Sequence, residues 1–219
     1  MKAVAIVSGG MDSVTLVYYL KSLGMDLHLL CFNYGQRHVK ELQYAKLCAQ
    51  TLNIEYDIVG MGQLGVLLKG SALTDNIDVP EGHYENENMK TTVVPNRNAI
   101  MLSIAYGVAV AEKANFVATG VHSGDHTIYP DCRSEFIDAF NLASQIATDT
   151  KIEILAPFVH FTKIEIIKLG TNLGVNYSDT WSCYKGLVHH CGKCGTCVER
   201  KEAFMLAKIE DPTIYKGEK

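Results

Sequence analysis

The sequence contains no run of five or more Lys or Arg, and its 24 acidic residues outnumber its 20 basic ones, for a formal net charge of -4. Proteins that grip a long polyanion usually carry a basic balance or stripe, so direct nucleic-acid binding is disfavoured. Long apolar runs are missing as well. The longest weakly polar stretch, residues 99–111, has 13 residues, whereas a membrane span needs about 20. The apolar run at residues 3–7 has five, too few for the core of a signal peptide. These absences predict a soluble, cytoplasmic protein with no membrane contact. Internal repeats and low-complexity tracts are absent too.

What is present is ordinary globular composition, 47% hydrophobic and 20% charged over 219 residues. One domain is the default at this length, with a core large enough to need no disulfide staples. The first half alternates strand and helix signals. Strands are predicted at residues 3–7, 27–32, 54–59, 116–121 and 152–155. Helices are predicted from the SGGMDS segment to about Leu23, then over 38–52, 96–113, 133–148, 162–173 and 196–208. Alternating βα units predict a parallel sheet covered on both faces, with ligands beyond the carboxyl ends of the strands. The loops starting near Ser8, Asn33 and Val121 are then the informative ones. Residues 70–95 differ: they are polar, with five acidic residues against one Lys. They read as a mobile flap or as a solvated insertion without a task.

The segment Ser8-Gly9-Gly10-Met11-Asp12-Ser13 lies between a strand and a helix. Two adjacent glycines let the backbone approach a ligand closely, and the helix start supplies unpaired N–H groups and a positive dipole end. Ser8 and Ser13 add hydroxyl donors. Asp12 beside a bare phosphate is unfavourable unless it holds Mg²⁺, which prefers one or two carboxylates plus phosphate oxygens. No Gly-Lys-Ser/Thr follows, so this is not a Walker A loop. The segment resembles the SGGxDS loop of the ATP pyrophosphatase superfamily, whose members split ATP between the α and β phosphates. Lys163 and Arg97 are the candidate cations for the phosphates. Lys163 also suits an exposed helix start, and Arg97 opens an apolar helix where a bare charge needs a partner.

Seven cysteines are present, an odd number, and four of them crowd into 15 positions: Cys183, Cys191, Cys194 and Cys197. The spacing C-x7-C-x2-C-x2-C suits four thiolates closing a tetrahedral structural zinc site, with an iron–sulfur cluster as the alternative. His189 and His190 read as surface or neighbouring polar residues. The centre would pin the chain end, including Trp181, against the rest. Residues 1–175 are then a nucleotide-binding domain and 176–219 a zinc-binding segment packed on it.

Together these features make the sequence resemble the 7-cyano-7-deazaguanine synthases along nearly its whole length. The further stretches that carry the resemblance are Tyr34-Gly35-Gln36-Arg37-His38, Val94-Pro95-Asn96-Arg97-Asn98, Tyr129-Pro130-Asp131-Cys132-Arg133 and Thr180-Trp181-Ser182-Cys183. The resemblance implies an adenine-nucleotide α-hydrolase-like, Rossmann-like three-layer α/β fold with a C-terminal four-cysteine segment. It implies an ATP-dependent ligase that turns 7-carboxy-7-deazaguanine and ammonia into the nitrile through adenylated acid and amide, in queuosine biosynthesis. It also implies one structural Zn²⁺, Mg²⁺ with ATP, and a homodimer. Catalytic roles would fall to Lys163, Arg97 and Asp12, and ATP would contact Ser8, Gly9, Gly10, Met11, Asp12 and Ser13. Asp125, Tyr129, Asp131 and Arg133 would meet the deazaguanine, with Asp125 or Asp131 accepting from its amino group and ring N–H. Arg37 and His38 either reach the nucleotide or substrate or are solvated helix-start residues. Cys132 reads as a packed thiol, since this chemistry needs no nucleophile. The competing readings are a tRNA thiolase or lysine-ligating enzyme, a GMP- or NAD-synthetase-like amidotransferase, and a zinc-bearing nucleotide sensor.

Overall fold

A computed structural model of the chain describes residues 1–37, 39–83 and 87–217. Five strands form one parallel sheet in the order β3-β2-β1-β4-β5. They are β1 (Lys2–Ile6), β2 (Asp26–Asn33), β3 (Glu55–Gly60), β4 (Phe116–Ala118) and β5 (Glu153–Leu155). The helices are α1 (Met11–Ser22), α2 (Lys40–Leu52), α3 (Gly62–Leu67), α4 (Arg97–Ala111), α5 (Ser134–Thr148), α6 (Lys163–Asn172) and α7 (Gly195–Ala207). No helix among the described residues is long and apolar enough to cross a membrane.

β1 shows why its run of apolar residues has no polar face. Side chains alternate across a strand, and both sides of β1 are covered. Ala3, Ala5 and Val7 join the core formed with α1, α2, α6 and α7. Val4 joins a second core with Leu102, Tyr106 and Ile137 from α4 and α5. The result is three layers, with helices on both faces of the sheet. β1 sits at its centre, Lys2 opposite Asp26 on one side and Ala3 opposite Phe116 on the other. From β1 the chain order runs outward in both directions. The crevice at such a switch point is the expected ligand site.

The described part of 70–95 is anchored, in a stretch whose polar composition reads as a mobile flap or a solvated insertion. Ala72, Leu73, Met89 and Val94 are buried. The Ala72 amide donates to the Thr91 carbonyl at 2.7 Å, the Arg37 amide to the Leu73 carbonyl at 2.9 Å, and the Gly82 amide to the Lys193 carbonyl at 3.0 Å. The segment thus bridges the second core and the cysteine-rich end. Its few apolar residues fall at no regular spacing, so no period betrays them. α3, also not predicted, packs Gly65 against Tyr34. A Cβ at Gly65 would lie 2.5 Å from the Tyr34 carbonyl oxygen.

The chain end is built into the first core rather than trailing from it. Ala203, Phe204 and Ala207 of α7 pack with Ile166 and Ile167 of α6. Arg200 is wholly buried. Its guanidinium donates to the Tyr177 carbonyl at 2.9 Å and Thr180 Oγ1 at 2.8 Å, and pairs with Asp211 at 3.2 Å. A buried cation is tolerable only with this degree of pairing.

Candidate active site and four-cysteine centre

The phosphate-type loop is preset by its own hydrogen bonds. Ser13 Oγ accepts from the Ser8 amide at 3.2 Å and donates to the Gly10 carbonyl at 3.0 Å. Gly9 has φ +87, and a Cβ there would lie 2.3 Å from the Glu41 carbonyl oxygen, so only glycine fits. The Trp181 amide donates to the Gly9 carbonyl at 2.9 Å, which ties the loop to the cysteine-rich end. Among the described residues no side chain caps α1, so its first N–H groups remain available to an anion.

Beside the loop lies a compact charged cluster. Lys163 Nζ, from the first residue of α6, donates to Asp12 Oδ2 at 2.8 Å and lies 3.3 Å from Glu199 Oε2. A capping box of Thr162 and Glu165 fixes the start of α6 and so the stem of Lys163. Burial works against the ammonium most strongly, yet Asp12, Glu199 and Asp125 outweigh it and raise its pKa. Burial likewise opposes charge on Asp12, but Lys163 and His122 hold that carboxyl below the usual range. Glu199 is pushed up by burial, which Lys163 and His122 only partly offset. His122 Nδ1 accepts from the Gly124 amide at 3.1 Å, so Nε2 faces Asp125 at 3.5 Å and Asp12 at 3.9 Å. Asp12 Oδ1 is buried and has no hydrogen-bond partner among the described residues.

This cluster forms one end of a cavity of about 230 Å³ at the carboxyl edge of β1, β2 and β4. The other end is lined by Tyr34, Arg97, Tyr129, Tyr184 and Cys132. Asn96, in the left-handed region at φ 57, turns the chain into α4 and delivers Arg97 at its first position. The Arg97 guanidinium lies 6.0 Å from the ring centres of both Tyr34 and Tyr129. Tyr129 is fixed by Thr92 Oγ1 at 2.7 Å. Burial pushes the Cys132 thiol up, and it accepts from Asn98 Nδ2 at 3.1 Å, so it stays a packed neutral thiol.

The cavity thus gathers Ser8, Gly10, Met11, Asp12, Ser13, Arg97, Asp125, Tyr129 and Lys163 from the residues singled out in the sequence. Gly9 packs against α2 and does not line it, and three others are placed elsewhere. Asp131 Oδ2 accepts from the Asn98 amide at 2.9 Å, closing the first turn of α4. Arg133 is exposed, and its Nε donates to the His126 carbonyl at 2.9 Å. Arg37 is exposed and donates to the Ile77 carbonyl at 2.6 Å. His38 lies outside the described residues. Sequence reasoning missed Glu199, His122, Glu41 and Tyr184. Glu199 stands two residues after Cys197, so the anchoring of α7 by the cysteines was its available signal. Glu41 follows Arg37 by four residues, in the first turn of α2, just past the loop after β2 that the topology already marked.

The four cysteines are all buried, and their sulfurs lie within 4.8 Å of one another. Backbone amides donate to them: Cys191 to Cys183 Sγ at 3.3 Å, and Cys194 to Cys191 Sγ at 3.2 Å. Gly192, at φ 72, makes the turn between Cys191 and Cys194. The arrangement suits a structural metal held by thiolates. His190 is not one of the group. Its Nε2 accepts from the Ser182 amide at 3.1 Å and its ring packs on Trp181 at 4.1 Å. His189 is exposed.

Sheet order, switch-point cavity and thiolate centre define an adenine-nucleotide α-hydrolase-like α/β protein with a C-terminal four-cysteine centre. Similar architectures among solved structures share this fold. NMN synthetase from Francisella tularensis superposes with a TM-score of 0.56 at 15% identity, covering 95% of this chain and 77% of that one. A 4-thiouridine synthetase in an RNA complex with bound ATP gives 0.53 at 19%, covering 81% and 42%. The chain itself belongs to the QueC family, the queuosine biosynthesis proteins, which it matches over residues 2–208. The 7-cyano-7-deazaguanine synthase of Brucella anthropi is 56% identical over 98% of this chain and 94% of its own length.

Proposed function

We propose that the chain is an ATP-dependent 7-cyano-7-deazaguanine synthase of queuosine biosynthesis. It joins ammonia to 7-carboxy-7-deazaguanine and then dehydrates the amide to the nitrile, each stage driven by adenylation. The observation that carries this reading is the single cavity, in which a phosphate-type loop with Lys163 faces an aromatic end bearing Arg97. Relatives more than half identical carry that activity in their name.

A carboxylate is a poor electrophile, because its oxygen leaves badly. Transfer to the α-phosphorus of ATP, with loss of pyrophosphate, makes that oxygen part of a good leaving group. Ammonia then displaces AMP. The amide oxygen is adenylated in turn, and loss of AMP with the nitrogen protons gives the nitrile. The protein's part is to position, neutralise and exclude water. Ser8, Ser13 and the free N–H groups of α1 bind phosphate oxygens, and Lys163 offsets their charge. Arg97 orients the substrate carboxylate between Tyr34 and Tyr129, which sandwich the flat heterocycle. Asp125 is the acceptor for the base edge. Asp131 serves indirectly, by closing the turn that presents Arg97.

Mg²⁺ fits this site on one observation: Asp12 Oδ1 is buried and has no hydrogen-bond partner among the described residues. Asp12 with Asp125 would hold it, and it would neutralise phosphate charge when bound. Zn²⁺ fits the four-cysteine centre. A zinc tetrahedron with bonds of about 2.3 Å separates its sulfurs by about 3.8 Å, and Cys191 and Cys197 are 3.9 Å apart. A cluster would place several atoms between the thiolates. Residues 176–219 act as a zinc-braced strap on the nucleotide-binding part, contributing Trp181, Tyr184 and Glu199 to the cavity. The protein works in the cytoplasm as a homodimer, without membrane or direct nucleic-acid contact; the family resemblance supports the dimer.

The test is mass spectrometry of products from the purified chain with ATP, Mg²⁺, ammonium and 7-carboxy-7-deazaguanine. The nitrile is expected, with the amide at early times. ATP split to AMP with the deazaguanine intact would make the substrate wrong. ATP left whole, with zinc bound, would point to a nucleotide sensor.

A further inference from the structure

Of the carboxyl groups that line the cavity, Glu41 and Glu199 have no part in the scheme above, and Glu199 is held by Lys163 at 3.3 Å. Glu41 stands in the first turn of α2, the turn that a Cβ on Gly9 would strike, so it is built against the phosphate-type loop. Its side chain lines the cavity. Gln36 Nε2 donates to Glu41 Oε1 at 3.0 Å. Gln36 is itself held at both ends, donating to the Phe32 carbonyl at 3.0 Å and accepting from the Tyr34 amide at 2.8 Å. The carboxyl is therefore aimed by a buried amide that cannot neutralise it. Among the described residues Glu41 forms no ion pair within 4.0 Å. The charged and titratable groups around it are Arg97 from α4, Tyr34 beyond β2 and Cys31 on β2. Burial keeps the last two neutral, with the Cys31 thiol pushed up to about 12.

The proposed reaction must remove three protons from one nitrogen. The adduct of ammonia with the acyl adenylate carries N–H₃⁺ and loses one proton as AMP leaves. The adenylated amide then loses two more, one to form the neutral imidate and one as the second AMP departs. None of Lys163, Arg97 or the packed Cys132 can accept them. We infer that Glu41 is the base that takes these protons from the substrate nitrogen. Its carboxylate accepts one proton at each step and returns it to solvent before the next. Burial, against weaker pulls from Gln36 and Arg97, pushes this carboxyl up to about 7, which suits a group that gains and loses a proton near neutral pH. The role rests on the function proposed above.

The first stage contains a step that needs no base, since adenylation of a carboxylate moves no proton. ATP–pyrophosphate exchange driven by the acid reads that step alone. Exchange driven by the amide requires loss of an N–H proton. In Glu41→Gln, amide formation relative to acid-driven exchange is expected to fall about 100-fold, and amide-driven exchange to fall with it. The rise of the amide-forming rate around pH 7 in the wild type should vanish in Glu41→Gln, while Glu41→Asp keeps it at reduced rate. Equal losses in both exchanges and in amide formation would show a structural or ATP-binding role and overturn the inference. So would a Glu41→Gln enzyme with unchanged ratios. A wild type that processes neither acid nor amide would instead refute the proposed function, and the role of Glu41 with it.

Discussion

Replacing Lys163 by Met removes the only ammonium among the described residues that line the cavity, while keeping its length and apolar stem. Its Nζ lies 2.8 Å from Asp12 and 3.3 Å from Glu199, with side-chain exposures of 12%, 22% and 16% for the three. At an effective dielectric of about 20, the gross attraction is about 6 and 5 kcal/mol for the two pairs. Desolvation cancels most of it, and breaking a fully buried pair typically costs about 3–5 kcal/mol. Here the groups are partly solvated, and Glu199, already pushed up by burial, can take a proton when its partner goes. The stability loss should therefore be about 2 kcal/mol, or roughly 4–8 °C in Tm for a chain of this size. Catalysis should suffer more. Losing a fixed charge where phosphate charge develops costs about 10²–10³ in rate. The assays are calorimetry and acid-driven ATP–pyrophosphate exchange, with Lys163→Arg as an intermediate. Exchange within about threefold of the wild type in a folded Lys163→Met protein would refute the phosphate role.

Three further outcomes are expected. Gly9→Ala forces a Cβ to 2.3 Å from one backbone atom and 2.7 Å from another at φ +87; it should weaken ATP binding more than about tenfold and destabilise by about 1–3 kcal/mol. Calorimetric titration with ATP checks this, and wild-type affinity would contradict it. Cys194→Ser, or prolonged chelation, should remove the metal, lower Tm and shift the fluorescence of Trp181, which belongs to the same buried cluster; elemental analysis with full metal content and unchanged Tm would count against a structural centre. Burial opposes charge on Asp211, but Arg200 and hydrogen bonds hold its carboxyl below the usual range. Its contribution is therefore present above the unfolded value of about 3.9 and is lost as pH falls through the lower folded value. Asp211→Asn should lower Tm at neutral pH and flatten the acid limb of the Tm–pH curve; parallel curves would contradict that sign.

The sequence made legible whatever repeats or crowds. The strand at 3–7 was visible because both its faces are buried, and the phosphate-type loop because Ser, Gly and Asp cluster between a strand and a helix. The cysteine spacing marked the four-cysteine centre. Less was legible where contacts are long-range. The strand that the sequence predicts over 116–121 is three residues longer than β4, because Thr119, Gly120 and Val121 line the cavity instead. The polar stretch 70–95 hid scattered buried residues that anchor it. Asp131 and Asp125 look equivalent in sequence; only the fold sends one to an amide of α4 and the other to His122. Glu199 reaches Lys163 from a helix 36 positions further on, a pairing that no local pattern encodes.

In the proposed reaction one cavity adenylates first the acid and then the amide through their own oxygens. The most direct measurement follows ¹⁸O from 7-carboxy-7-deazaguanine labelled on both carboxyl oxygens. Two AMP per nitrile are expected, each carrying one labelled oxygen, with none in pyrophosphate. Unlabelled AMP, or label released to water or inorganic phosphate, would contradict it.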